Sequence, residues 1–134
     1  MTEDQPQRRI MVVEDDENVC EALSTRLIHE GYEVSVATDA IRAVSTARRE
    51  KPDVVLVDIN LPGGDGFDVV RRLDLVTSGA GPKIIFITAS KQPGLRQKAI
   101  SVGADGFLEK PFTAEGLLGA IDDALASDPV EEFG

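Results

Sequence analysis

Acidic, hydroxyl and ammonium side chains recur where short apolar runs of this chain end. Glu14, Asp15 and Asp16 follow Ile10–Val13, Asp58 follows Val54–Val57, and Thr88 follows Ile84–Ile87. Lys110 comes one glutamate after Phe107–Leu108. Any one of them reads as a solvated turn residue, because charged side chains belong mostly at the surface. Their joint occurrence points to a shared site holding carboxylates, a hydroxyl and an ammonium. Crowded carboxylates repel unless a cation neutralises them. Oxygen donors with few protein contacts suit Mg²⁺, which keeps several waters and often bridges to a phosphate, with Mn²⁺ as a substitute. A nearby lysine is a point charge for a carboxylate or phosphoryl oxygen, and a threonine hydroxyl can donate to another. Asp58, the central carboxylate, could then be a nucleophile that carries an acyl phosphate. Such a transfer needs in-line positioning and charge neutralisation more than acid–base chemistry.

The elements that must position these groups are legible in the apolar pattern. Ile10–Val13, Val54–Val57 and Ile84–Ile87 are continuous and rich in β-branched residues, as strands buried on both faces of a parallel sheet are. Glu33–Ala37 alternates, and Phe107–Leu108 is the weakest run. Helical spacing lies between the runs. Val19, Cys20, Leu23, Leu27 and Ile28 precede a stop at Gly31, and Ala40, Val44 and Ala47 lie between Asp39 and Pro52. Val69, Val70 and Leu73 follow a glycine-rich turn, and Leu95, Ala99, Ile100 and Val102 precede Gly103. A last helix starts after Thr113, an N-cap, runs through Leu117, Leu118, Ile121 and Leu125, and is closed by Pro129.

Strand and helix thus alternate five times. This predicts an α/β fold, a five-stranded parallel sheet with helices on both faces. Ligands of such sheets bind at the carboxyl ends of the strands, near a topological switch point, and the polar residues stand there. The domain is expected over residues 9–127, with flexible tails at 1–8 and 128–134. The 134 residues suit one domain, and 42% hydrophobic with 28% charged residues is a globular composition. No apolar run approaches the roughly 18 residues of a membrane span, and the first nine residues lack the apolar core of a signal peptide. The one cysteine cannot form an internal disulfide, which fits a reducing cytoplasm. A net charge of −10 argues against direct nucleic-acid binding, and so does the absence of tryptophan from a chain with 4% aromatics.

Four segments carry a family resemblance: VVEDDE (12–17), VDINLPGGDGFDVVRRL (57–73), FITAS (86–90) and GADGFLEKPF (103–112). Asp15, Asp58, Thr88 and Lys110 are spaced by 43, 30 and 22 residues. Together they resemble the receiver domain of two-component response regulators, over about residues 9–127, with its flavodoxin-like (βα)5 fold. The resemblance implies that Asp58 is the phosphoacceptor. It implies Mg²⁺ held by Asp15, Asp58 and the backbone carbonyl of Asn60, with Glu14 acting through a metal-bound water. Thr88 and Lys110 would each bind a phosphoryl oxygen, and Pro111 would follow a cis peptide bond. Phe107 stands where the family has an aromatic switch residue, often tyrosine; lacking the hydroxyl, it must work through packing.

The implied phosphodonor is a sensor histidine kinase or a histidine phosphotransfer protein. The implied reader is a downstream protein or an output domain, contacting the surface of the fourth helix, fifth strand and fifth helix. The domain would be a monomer or a phosphorylation-dependent dimer, a phosphoacceptor with slow self-hydrolysis more than a turnover enzyme. Two alternatives keep the fold and change the setting: the receiver part of a longer DNA-binding transcriptional regulator, or a phosphorylation-independent interaction module. An aspartate-nucleophile hydrolase would want a second carboxylate at the position of Asn60, which cannot act as an acid. A flavin carrier would want a Ser/Thr/Gly-rich loop where Glu14–Asn18 stand.

The remaining conspicuous residues have plainer readings. Pro62, Gly63, Gly64 and Gly66 shape a loop close to Asp58. Asp16 caps the first helix, His29 sits near its end where a cation is favoured, and Cys20 is inert packing. Arg71 and Arg72, and the basic group Lys91, Arg96 and Lys98 around the fourth helix, are expected to be solvated faces.

Overall fold

Residues 7–77 and 81–126 are described in this computed structural model. The order is β1 (Arg9–Val13), α1 (Glu17–His29), β2 (Glu33–Ala37), α2 (Ala40–Glu50), β3 (Val54–Asp58), α3 (Gly66–Thr77), β4 (Lys83–Thr88), α4 (Leu95–Ser101), β5 (Gly106–Glu109) and α5 (Ala114–Ala126). The five strands form one parallel sheet in the order β2-β1-β3-β4-β5.

The unalternated strands are explained by two core layers. Met11, Val13, Val55, Val57 and Phe86 point to the side covered by α2, α3 and α4. Ile10, Val12, Val54, Leu56, Ile85 and Ile87 point to the side covered by α1 and α5. Successive strand side chains alternate between faces, so a strand buried on both has no polar position. Each large apolar side chain removed from water contributes roughly 1.5–3 kcal/mol, so the central strands anchor everything at their ends.

Local signals set the helix boundaries. Asp16 accepts from the N–H groups of Asn18 and Val19 at the start of α1, and Asp39 accepts from that of Arg42 in α2. Thr113 Oγ1 accepts from the Gly116 N–H at 2.9 Å, as expected of the cap of α5. Gly31 ends α1 with φ of +99°, a left-handed backbone that glycine adopts freely.

Three expectations need correction. Ile28 and Ile100 are exposed, not core-facing. Each is one residue past a buried neighbour, Leu27 or Ala99, and 100° per residue turns it off the stripe. In α2 the buried residues are Ala40, Ala43, Thr46 and Ala47, with Val44 only half-buried. Contacts also begin before the expected boundary at residue 9: the Gln7 side chain donates to the Gly31 carbonyl, and the Glu33 N–H to that of Arg8. The rest of the expected tails, 1–6 and 128–134, lies outside the described residues, as does residue 127. Among the described residues, no helix is long and apolar enough to cross a membrane.

Candidate functional site

Strand order reverses at β1 and β3, since the chain leaves β1 for β2 on one side and returns to β3 on the other. The connections after these two strands diverge and leave a crevice at their carboxyl ends. Glu14 and Asp15 directly follow β1, Asp58 is the last residue of β3, Thr88 the last of β4, and Lys110 follows β5. Parallel register brings these ends level: Val13 pairs with Val57, Asp58 with Ile87, and Thr88 with Glu109.

The carboxylates of Glu14, Asp15 and Asp58 each offer an oxygen within 4.8 Å of the others. Glu14 (1% exposed) and Asp58 (6%) are buried, while Asp15 is exposed. Lys110 reaches in from the far side, its Nζ 2.7 Å from Glu14 Oε1 and 3.1 Å from Asp58 Oδ2. The other oxygens take backbone donors: Asp58 Oδ1 accepts the Asn60 N–H at 3.0 Å, and Glu14 Oε2 accepts the Asp16 N–H at 3.2 Å. One ammonium, paired with Glu14 and Asp58, accompanies a cluster of three carboxylates, so two negative charges are left over when all are ionised. That is the charge of a divalent cation, and an all-oxygen donor set with an exposed member suits a hard ion that retains water.

Burial pushes the Glu14 carboxyl above its ordinary value, and the charge of Asp58 adds to this, against the pull of the Lys110 hydrogen bond. For Lys110 burial disfavours charge, but hydrogen bonds to Glu14 and Asp58 and their charges outweigh it, holding the ammonium above its ordinary value. Lys110 is therefore held as a cation between Glu14 and Asp58.

The backbone around Asp58 is tightly folded. The Gly66 N–H donates to the Ile59 carbonyl at 2.8 Å, and a Cβ at Gly66 would stand 2.5 Å from the Asp58 carbonyl oxygen. Only a residue without a side chain lets α3 start there, which is the use of one glycine in the loop. Thr88 is fully buried; its Oγ1 accepts from the Ser90 N–H at 3.0 Å, and its carbonyl accepts from the Lys110 N–H at 2.7 Å. The Lys110–Pro111 bond is cis.

Glu14, Asp15, Asp58 and Lys110 thus meet directly. Asn60 joins them through its N–H, and Thr88 through the backbone of Lys110. Phe107 stands apart, half-buried on β5 opposite Phe86. Three features escaped sequence reasoning. Lys110 already bridges two carboxylates. The Cys20 thiol donates to the Glu14 carbonyl at 3.0 Å and is pushed up to about 11, by burial first and neighbouring acids second. Arg96 and Lys98 are not merely solvated: the Arg96 guanidinium carbon lies 4.8 Å from the Phe107 ring centroid and Lys98 Nζ 4.4 Å from that of Phe67. The only signal for the last was their position flanking the stripe Leu95, Ala99 and Val102. A groove of about 770 Å³ lies between α1 and the start of α5, lined by Arg26, His29, Phe112 and Leu117 among others, and includes none of the site residues.

Comparison with known proteins agrees with this arrangement. The family model of the response regulator receiver domain matches residues 10–122. Response regulator MprA of Mycobacterium leprae (strain TN) is 36% identical over 113 residues, 84% of this chain and 49% of that protein. MprA of Mycobacterium ulcerans (strain Agy99) is 34% identical over 124 residues, 92% of this chain and 53% of that one. The chain spans about half the length of these curated relatives. Chemotaxis protein CheY4 of Vibrio cholerae superposes with a TM-score of 0.83 at 30% identity, covering 90% of this chain and 100% of that one. The non-phosphorylated HemR receiver domain of Leptospira biflexa gives 0.81 at 30%, covering 91% and 97%. Sheet order, acidic crevice and sequence match converge on one assignment: this chain belongs to the response regulator receiver domains, the phosphoacceptor switches of two-component systems.

Proposed function

We propose that Asp58 is the residue that takes the phosphoryl group, from a phosphohistidine of a sensor histidine kinase or a histidine phosphotransfer protein. The observation that carries this is its placement: buried at the end of β3, held by Lys110 and the Asn60 N–H, beside Glu14 and Asp15. A carboxylate oxygen of Asp58 attacks phosphorus. The P–N bond of the donor breaks, and its electron pair goes to the imidazole, which leaves as neutral histidine with the proton on its other nitrogen. Asp15, Asp58 and the Asn60 carbonyl would hold Mg²⁺ or Mn²⁺, with Glu14 behind a metal-bound water; the ion would supply neutralisation of phosphoryl charge. The Lys110 ammonium passes from the carboxylate to a phosphoryl oxygen, and the Thr88 hydroxyl donates to another.

The signal then leaves by packing. Thr88 is drawn toward the new group, the connection after β4 follows, and Phe107 turns into the space released. This shifts a two-state surface of α4, β5 and α5, read by a downstream protein or an output domain. The domain acts as a monomer or a phosphorylation-dependent dimer in the cytoplasm, and the acyl phosphate is later lost by slow hydrolysis. Intact mass after incubation with acetyl phosphate and Mg²⁺ tests the reading. Wild type gains one phosphoryl group and Asp58→Asn gains none; label on the variant, or none on wild type, sinks it.

A further inference from the structure

The helix α4 is fastened differently from the other four. It has seven residues, its N-cap Gly94 makes no side-chain hydrogen bond, and Ala99 is its one fully buried residue. Leu95 and Val102 are half-buried against the core, and Ile100 is 67% exposed. Apolar burial therefore holds it weakly. Cations flank it instead. Arg96 stacks on Phe107 of β5 and Lys98 on Phe67 of α3. Just before the helix, Lys91 lies 3.9 Å from Glu109 of β5. Arg96 and Lys98 are two residues apart, about 200° around a helix, so they grip from opposite flanks of the Leu95–Ala99–Val102 stripe.

The two rings differ. Phe67 is buried and tilts against Phe86 with centroids 4.7 Å apart, so it is a fixed post. Phe107 is only half-buried, packed against the same layer from β5, so it is held by fewer neighbours than Phe67. We propose that Arg96 is a positioning residue of the switch: its guanidinium clasps Phe107 in the resting orientation and ties α4 to β5, so that phosphorylation works against this clasp. The inference rests on Asp58 as phosphoacceptor and Phe107 as the moving ring. A ring turned inward no longer presents its face to Arg96, so the contact stabilises the resting state alone. By linkage it must depopulate the active state and so lower the chain's apparent affinity for whatever occupies Asp58. The exposed, long Lys91–Glu109 pair adds little.

The test uses beryllofluoride with Mg²⁺, a phosphoryl mimic that binds an aspartate carboxylate. Two quantities are read by NMR: the Phe107 ring resonances of the resting chain, and the beryllofluoride concentration at half-saturation. Arg96→Gln is expected to move the resting resonances toward their saturated positions and to lower the half-saturating concentration about two- to five-fold, the range for an exposed cation–π contact. Arg96→Lys keeps a cation and stays near wild type. Lys98→Gln removes the same charge from the same helix but faces the fixed ring, and leaves half-saturation unchanged. An Arg96→Gln chain that binds like wild type overturns the proposal, and so does a Lys98→Gln chain with the same shift, which would make the effect one of helix charge. A wild-type chain that binds no beryllofluoride overturns the assignment of Asp58, and the coupling with it.

Discussion

At the scale of single residues, the pocket is a balance between like-charge repulsion and one cation. Lys110 compensates Glu14 and Asp58 directly, yet Glu14 still titrates above its ordinary carboxyl value because burial outweighs the lysine. The sign of the consequence follows from proton binding. The folded chain holds the Glu14 proton more tightly than the unfolded chain, so this residue's contribution to stability is complete below the ordinary value of 4.5. It is lost as pH rises through the raised folded value. Glu14→Gln removes that dependence. In metal-free buffer, the urea midpoint of Glu14→Gln minus that of wild type should grow as pH rises from about 4.5 toward neutrality. A difference that stays constant across that range would show that the buried charge is not what separates the two chains.

At the scale of elements, each strand end works because the connection after it folds back on it. The start of α3 shows how little freedom that leaves. The missing side chain at Gly66 is what lets the connection pass 2.5 Å, in Cβ terms, from the Asp58 carbonyl oxygen. The obstacle is backbone, which cannot turn aside as a side-chain end can. Gly66→Ala is therefore expected to lose about 1–3 kcal/mol in urea denaturation and to slow labelling of Asp58 by acetyl phosphate. Unchanged stability and labelling would mean that α3 can shift at no cost. The sequence revealed the strands clearly, since Ile10–Val13, Val54–Val57 and Ile84–Ile87 are buried on both faces and carry no polar interruption until the sheet ends. It revealed Glu14, Asp58 and Thr88 for the same reason, as the first polar residues after their runs, with Asp15 next to Glu14 and Lys110 one glutamate beyond Phe107–Leu108. Helix faces were harder. Ile28 and Ile100 sit beside true core residues, and apolar type alone does not tell 100° from 0°. Contacts across elements were harder still: spacing put Arg96 and Lys98 beside the α4 stripe but could not name Phe107 and Phe67 as their partners, and Cys20 on the Glu14 carbonyl likewise depends on tertiary placement.

At the scale of the whole molecule, a chain of net charge −10 brings three carboxylates within 4.8 Å of one another at the carboxyl ends of its strands. Any salt will relieve general self-repulsion, so a rise in Tm on adding Mg²⁺ is not by itself evidence of a site. Saturation and residue dependence separate the two effects. A ligand that binds only the folded state stabilises by RT ln(1 + [L]/Kd), about 2.7 kcal/mol at one hundred times Kd, whereas screening depends on ionic strength alone. Wild type should therefore show a Tm that climbs with Mg²⁺, levels as the site saturates, and falls back on chelation. NaCl at matched ionic strength should produce a smaller, unsaturating rise. Asp15→Asn keeps the buried Lys110, Glu14 and Asp58 contacts intact but removes the exposed carboxylate of the cluster, so it should lose the saturating part and keep the salt response. Equal Mg²⁺ curves for wild type and Asp15→Asn would place the stabilisation in the general field of the molecule and leave the crevice without a specific ion.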